Sequence, residues 1–272
     1  MESVMSGSSK GKVVVTGASA GIGAVYADRL AKRGYDLVLV ARNEERLKEL
    51  AARITAETGR KVEVVKADLT SKADTARVEA VLRNDPDVTG LVNNAGMGVQ
   101  GTILEADVEK LDTMIQLNVT APTRLASAAA AGFASRGNGT IINIASVLAL
   151  APELFNGVYS GTKAYVLNLT KSMQRELADK GVRVQAVLPG ATRTEIWERA
   201  GIDVEEFPAE MVMGVDEMVD AALSGLDQGE PITVPPLPDM KDWDAYEGAR
   251  LALQPNLSRQ HAAERYRSKQ AA

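Results

Sequence analysis

The chain of 272 residues reads as a single-domain α/β protein, with a doubly wound, seven-stranded parallel sheet flanked by helices. Three observations predict this. Short, nearly continuous apolar runs recur, as expected of parallel strands buried on both faces. Amphipathic stretches of helical period separate them, which makes each strand–helix–strand unit a right-handed crossover. A length of 272 residues suits one large α/β domain and supplies enough apolar residues, 45% of the chain, for a sizeable core.

The strands are expected at Lys12–Thr16 (KVVVT), Asp36–Ala41 (DLVLVA), Val62–Ala67, Thr89–Asn93, Thr140–Ser146, Val182–Leu188 and a short Ile232–Val234. The first helix, Gly21–Arg33, stops at Gly34. The second, Glu44–Glu57, has Asn43 as N-cap, two acids in its first turn and Gly59 near its end. Helices at Lys72–Arg83, Val108–Ala131, Tyr159–Lys180 and Asp216–Leu226 complete the alternation. Residues 1–11 read as a flexible N-terminus, and 12–257 as the domain. Pro231–Pro238 reads as the loop around the last strand, and 258–272 as a basic tail with Arg259, Arg265, Arg267 and Lys269 against Glu264.

Composition narrows the chemistry. With no cysteine, thiol nucleophiles, disulfides and thiolate metal sites are excluded. The single histidine, His261, lies near the C-terminus, which argues against a Ser-His-Asp triad and against a His-rich metal site, and no metal site is expected. A net charge of −5 favours neither nucleic acid nor an anionic membrane as partner. No apolar leader precedes the first strand and no run is long enough to span a bilayer, so a cytoplasmic location is expected.

Two features carry function. The first is the turn Thr16-Gly17-Ala18-Ser19-Ala20-Gly21-Ile22-Gly23, set between a strand and a helix. Gly17 permits the tight turn, Gly21 a close approach of backbone to a pyrophosphate, and Gly23 close packing of helix on sheet. Ser19, Ala20 and Ile22 complete the cradle at the helix N-terminus, whose free N–H groups suit phosphate. No Walker-type lysine follows, which disfavours a nucleoside-triphosphate loop. At the end of the second strand an acid would hold the ribose hydroxyl of NAD(H); here Ala41 is followed by Arg42, whose guanidinium suits the 2′-phosphate of NADP(H). Asp68 and Leu69 after the third strand suit the adenine edge, and Asn94, Ala95 and Gly96 after the fourth suit a flat cofactor. All lie at carboxyl ends of strands, where open α/β sheets bind ligands.

The second feature is Tyr159 with Lys163 one helical turn on, preceded by Ser146 at the end of the fifth strand. A phenol has a reference pKa near ~10, which a neighbouring ammonium would lower. Ser146 can hydrogen-bond a substrate oxygen while Tyr159 gives or takes its proton.

As a set, TGASAGIG at 16–23, NNAG at 93–96, Asn118 in LNVT, Ser146, Tyr159 and Lys163 resemble the classical short-chain dehydrogenase/reductase family from Lys12 to about Val234. The resemblance implies a Rossmann-like fold and catalytic roles for Asn118, Ser146, Tyr159 and Lys163. In that family the asparagine helps hold a proton-relay water, and the lysine also contacts the nicotinamide ribose. Pro189, Gly190, Thr192 and Thr194 resemble the segment touching nicotinamide and phosphates, and 195–214 corresponds to the substrate lid. In the lid, Trp197, Phe207, Met211 and Met213 either line a pocket or pack a mobile helix pair. The resemblance also implies a homodimer or homotetramer through the two long helices. Ala126, Ala128–Ala131 and Gly132 are small enough for that close approach, although a buried face within one chain would look the same. Beyond the lid, VPPLPDMKDWDAYEGARLAL departs from the acyl-carrier-protein ketoreductases and weakens transfer of their role.

The expected activity is therefore NADP(H)-dependent interconversion of a ketone or aldehyde with an alcohol. Val147, Leu148, Leu150, Leu154 and Phe155 hint at an apolar substrate. A non-catalytic dinucleotide sensor or scaffold is the alternative, though such proteins usually lose the tyrosine or lysine kept here. An extended-family epimerase or dehydratase would have a longer chain and different glycine spacing.

Overall fold

The computed structural model describes residues 9–266; of the expected terminal segments, residues 1–8 and 267–272, with Arg267 and Lys269, lie outside the described residues. Contacts group residues up to Pro235 into one unit and those from Pro236 into a second.

The first unit holds the sheet. Its strands are β1 Lys12–Thr16, β2 Asp36–Ala41, β3 Val62–Lys66, β4 Val88–Asn93, β5 Gly139–Ile144, β6 Val182–Val187 and β7 Ile232–Thr233. They align in the order β3-β2-β1-β4-β5-β6-β7, with every neighbouring pair parallel. The order reverses between β1 and β4, which makes the crevice beyond their carboxyl ends the expected ligand site.

The helices of this unit are α1 Gly21–Lys32, α2 Glu44–Thr58, α3 Lys72–Asn84, α4 Val108–Ile115, α5 Ala121–Arg136, α6 Gly157–Glu176, the short α7 Ile196–Arg199 and α8 Val215–Gln228. Strand side chains alternate between the two faces, and both faces are covered. Val13, Val15, Leu37 and Leu39 join the core with α1, α2 and α8, while Val14, Val38 and Val40 join the opposite core with α3, α5 and α6. Burial on both sides is why the strands read as unbroken apolar runs. The outer strand β3 instead exposes Glu63 and Lys66, charges that discourage edge pairing.

The Asn43 cap forms as expected, its side chain accepting the Arg46 N–H at 3.0 Å. The helix expected over Val108–Ala131 differs in two ways. A π-helical turn, Gln116–Thr120, separates α4 from α5, and α5 runs on through Gly132 to Arg136 before Gly137 ends it in the left-handed region (φ 67°). The small residues expected to face a second copy are largely used within the chain. Ala126, Ala128 and Ala129 are buried in the core, and a Cβ on Gly132 would stand 2.6 Å from the Leu82 carbonyl oxygen, so the glycine lets α5 press on the end of α3.

The second unit contains α9, Met240–Ala252, capped by Asp239, with the Trp243 and Tyr246 rings 5.5 Å apart. The domain end expected at residue 257 falls within this unit, shortly after α9. Among the described residues no helix is long and apolar enough to cross a membrane.

Candidate active site

The strand-switch crevice is pinned by one hydroxyl and one amide. Thr16 Oγ1 donates to the Val92 carbonyl (3.2 Å) and accepts the N–H groups of Asn94 (2.9 Å) and Ala95 (3.0 Å). The Asn94 side chain returns a bond to the Thr16 carbonyl at 2.9 Å. The end of β4 is thereby fastened to the glycine turn after β1. In that turn Gly17 (φ 66°) and Gly21 (φ 54°) are left-handed, which other residues rarely adopt. A Cβ on Gly21 would meet the Thr194 side chain at 3.2 Å, and one on Gly23 would stand 2.7 Å from Asn94 Nδ2.

α1 begins at this turn with no side-chain cap and no acid in its first turn. Its leading N–H groups, with the positive end of the helix dipole, are left to an anion. Arg42, just past β2, is exposed and makes no hydrogen bond or ion pair among the described residues. Its charge still reaches Asp68 beyond the neighbouring strand. Burial pushes the Asp68 carboxyl up, but hydrogen bonds from the Thr70 N–H and hydroxyl, together with Arg42, hold it below its ordinary value. An uncapped helix start, a glycine cradle and a free guanidinium fit a 2′-phosphorylated dinucleotide. Leu69, next to Asp68, is buried.

Ser146, Tyr159, Lys163 and Asn118 come from β5's carboxyl end, α6 and the π turn. Ser146 is buried, its Oγ accepting the Leu148 N–H (3.1 Å) and lying 3.5 Å from the Pro189 carbonyl. Lys163 is buried too, and donates to the Ile144 carbonyl at 3.0 Å. Its Nζ lies 5.7 Å from the centroid of the Tyr159 ring. Asn118, 2% exposed, accepts the Met97 N–H (2.9 Å) and donates to the Met97 carbonyl (2.8 Å) and to Thr162 Oγ1 (3.2 Å). Gly96 faces this group: a Cβ there would stand 3.2 Å from Asn118 Oδ1 and 3.7 Å from Lys163 Nζ. A π turn adds one residue to a helical turn, and here it carries Asn118 against the β4 loop.

The electrostatics depart from expectation. Burial pushes the Tyr159 phenol up to about 12, and the Ser146 hydroxyl only partly offsets it. Burial also brings Lys163 down to about 8. The lowering expected from the ammonium does not appear, because Nζ sits over the ring and bonds a backbone carbonyl while desolvation dominates both groups.

The segment after β6 folds over this crevice. Thr192 Oγ1 bonds the Gly190 carbonyl at 3.1 Å, and Trp197 Nε1 bonds the Thr192 carbonyl at 2.8 Å. Arg46 of α2 grips Glu195 at 2.8 Å, and Arg193 pairs with Glu205. From Tyr159 an aromatic chain leads into the lid. Phe155 meets Tyr159 edge-on at 5.6 Å and Trp197 at 6.2 Å, and Trp197 meets Phe207 at 5.1 Å. The lid methionines go elsewhere: Met213 packs against the α1–α8 core and Met211 is exposed. Leu154 is exposed as well.

Sequence reasoning gave Thr16 no role of its own within the turn, and passed over Thr162 and Asn156. Thr162 donates to the Tyr159 carbonyl at 2.7 Å while accepting from Asn118. Asn156 caps α6 through the N–H groups of Val158 (2.9 Å) and Tyr159 (3.1 Å). An asparagine three residues before a helix-borne tyrosine is a readable N-cap signal.

Known proteins resemble this chain over most of its length. The family model for short chain dehydrogenases matches residues 11–204. A solved short-chain dehydrogenase from Sphingobium yanoikuyae, in complex with NADPH, is 52% identical over 94% of this chain and 100% of its own, with a TM-score of 0.92. A bulky-bulky ketone specific alcohol dehydrogenase from Comamonas testosteroni is 46% identical over 94% of this chain and 98% of its own, with a TM-score of 0.87. An uncharacterized oxidoreductase of Staphylococcus epidermidis is 35% identical over 81% of this chain and 93% of its own.

Proposed function

This chain belongs to the short chain dehydrogenase family, and from that premise we propose an NADP(H)-dependent oxidoreductase interconverting a bulky, apolar ketone and its secondary alcohol. The observation that carries the reading is the convergence of Ser146, Tyr159 and Lys163 beside the strand switch, next to a phosphate cradle and a free Arg42.

The N–H groups at the start of α1 would hold the pyrophosphate, and Arg42 would hold the 2′-phosphate. A nicotinamide held there would supply or accept the hydride. Ser146 Oγ hydrogen-bonds the substrate oxygen and fixes it near the phenol. Tyr159 then passes its proton to that oxygen in reduction and removes it in oxidation. With the phenol held at about 12, Tyr159 is a proton donor throughout the neutral range, which favours reduction there and moves oxidation to alkaline pH. Lys163 and Asn118 stand behind the phenol and carry the proton exchange inward from Tyr159. The Phe155–Trp197–Phe207 chain gives an apolar, aromatic wall for a bulky substituent.

The test is oxidation of NADPH and of NADH, followed by absorbance, against aryl and bulky dialkyl ketones beside small aldehydes and acetone. NADPH consumption that rises with substituent size is expected. Demonstrated NADPH binding with no carbonyl-dependent oxidation, and no NADP⁺ reduction by the matching alcohols, would overturn the reading.

A further inference from the structure

Asn156 lies outside the motifs by which the sequence resembles the family, yet its buried side chain uses both its polar atoms. Oδ1 accepts the N–H groups of Val158 and of Tyr159 itself, at 2.9 and 3.1 Å. Nδ2 donates to the Gly101 carbonyl at 2.5 Å. Two N–H donors on one side and a carbonyl on the other leave a single orientation for the amide. Gly101 is left-handed (φ 98°) in the loop leading from Gly96 toward α4, and a Cβ there would press on Ala106 N at 3.3 Å. Met97, Val99 and Ala106 of that loop pack with Leu111, Met114, Val158 and Tyr159 in one apolar cluster. One amide group therefore joins the backbone that carries the phenol to the loop that walls its ring.

We propose that Asn156 is a positioning residue for the proton transfer, holding Tyr159 in place through the helix cap and holding the 97–106 loop to it through Gly101. It rests on the assignment of Tyr159 as the proton donor. The two halves of the role separate by substitution. Asn156→Ser keeps an oxygen for the cap but is too short to reach Gly101. Asn156→Ala loses both bonds.

The experiment compares steady-state reduction of a bulky ketone by the full chain, by both variants and by Tyr159→Phe. NADPH affinity, melting temperature and the pH profile of alcohol oxidation are measured alongside. Asn156→Ser should raise KM for the ketone several-fold, with kcat within about threefold of wild type, because the cap survives. Asn156→Ala should also lower kcat about 10- to 100-fold, as a small displacement of a reacting group does, and should move the kinetic pKa. NADPH affinity should stay unchanged in both. Wild-type kcat, KM and pH profile in both variants would overturn the proposal. So would losses that merely track melting temperature or NADPH affinity. Turnover by Tyr159→Phe would sink the functional reading itself, whereas a dead Tyr159→Phe with silent Asn156 variants would sink only this inference.

Discussion

Gly23→Ala tests the cofactor cradle with the smallest possible change. A Cβ at this position would stand 2.7 Å from Asn94 Nδ2 and 2.8 Å from the Gly17 carbonyl carbon, and closer still to the carbonyl oxygen. Neither neighbour is free to yield. The Asn94 amide is bonded to the Thr16 carbonyl, and the next residue of the turn, Ala18, donates to the Val40 carbonyl at 3.3 Å. Relief needs the turn or α1 to move by roughly half an ångström, an overpacking cost of about 1–3 kcal/mol. The displaced groups are the ones proposed to meet the pyrophosphate, so NADPH affinity should fall by about tenfold or more. Gly248→Ala is the control, since a Cβ there meets nothing within 4 Å on an exposed turn of α9. It should leave affinity unchanged and stabilise the helix by about 0.5–1 kcal/mol. NADPH fluorescence titration and thermal melts read both quantities. Wild-type NADPH affinity in Gly23→Ala would refute the claim that close approach of α1 to the turn builds the site.

Arg42→Ala should weaken NADPH binding by about tenfold to a hundredfold, the worth of a charge-assisted phosphate contact, and leave NADH binding unchanged; equal losses for both cofactors would count against a 2′-phosphate site. Lys163, lowered to about 8, binds no proton in the folded chain between that value and its ordinary 10.5, whereas the unfolded chain does. Stability should therefore rise with pH from about 8 upward, and urea melts between pH 8 and 10 should show this rise in wild type but not in Lys163→Met. The window stays below the range in which Tyr159, raised to about 12, begins to favour the unfolded state. Asn143→Ala should cost about 1–3 kcal/mol and several degrees of melting temperature. It removes an acceptor for Asn93 Nδ2 of β4 (3.2 Å) and a donor to Thr170 Oγ1 of α6 (2.9 Å), and an unchanged melt would contradict that role.

The strands were legible because Val13–Val15 and Leu37–Val40 are buried on both faces, which imposes apolar residues at every position. The glycine turn was legible because its backbone angles and its contact with Asn94 admit little else. The π turn was not, since one extra residue in a helical turn leaves the apolar period of 108–131 almost undisturbed. The role of Gly132 depended on which helix lay opposite, and only the tertiary arrangement supplies α3 as the neighbour. Charge states were illegible for the same reason. Tyr159 and Lys163 lie one turn apart in sequence, but the depth of their burial decides both pKa shifts. Asn156 carried a readable cap signal that went unused, whereas its bond to Gly101, 55 residues away, leaves no trace in the sequence.

Single-turnover oxidation of bound NADPH by a bulky ketone, in wild type and in Tyr159→Phe, measures the phenol's part in the reaction. The phenylalanine ring keeps the edge-on contact with Phe155 and loses only the hydroxyl. The expected result is a rate lower by about 10²- to 10⁴-fold with NADPH affinity unchanged. Oxidation at the wild-type rate would contradict Tyr159 as the proton donor.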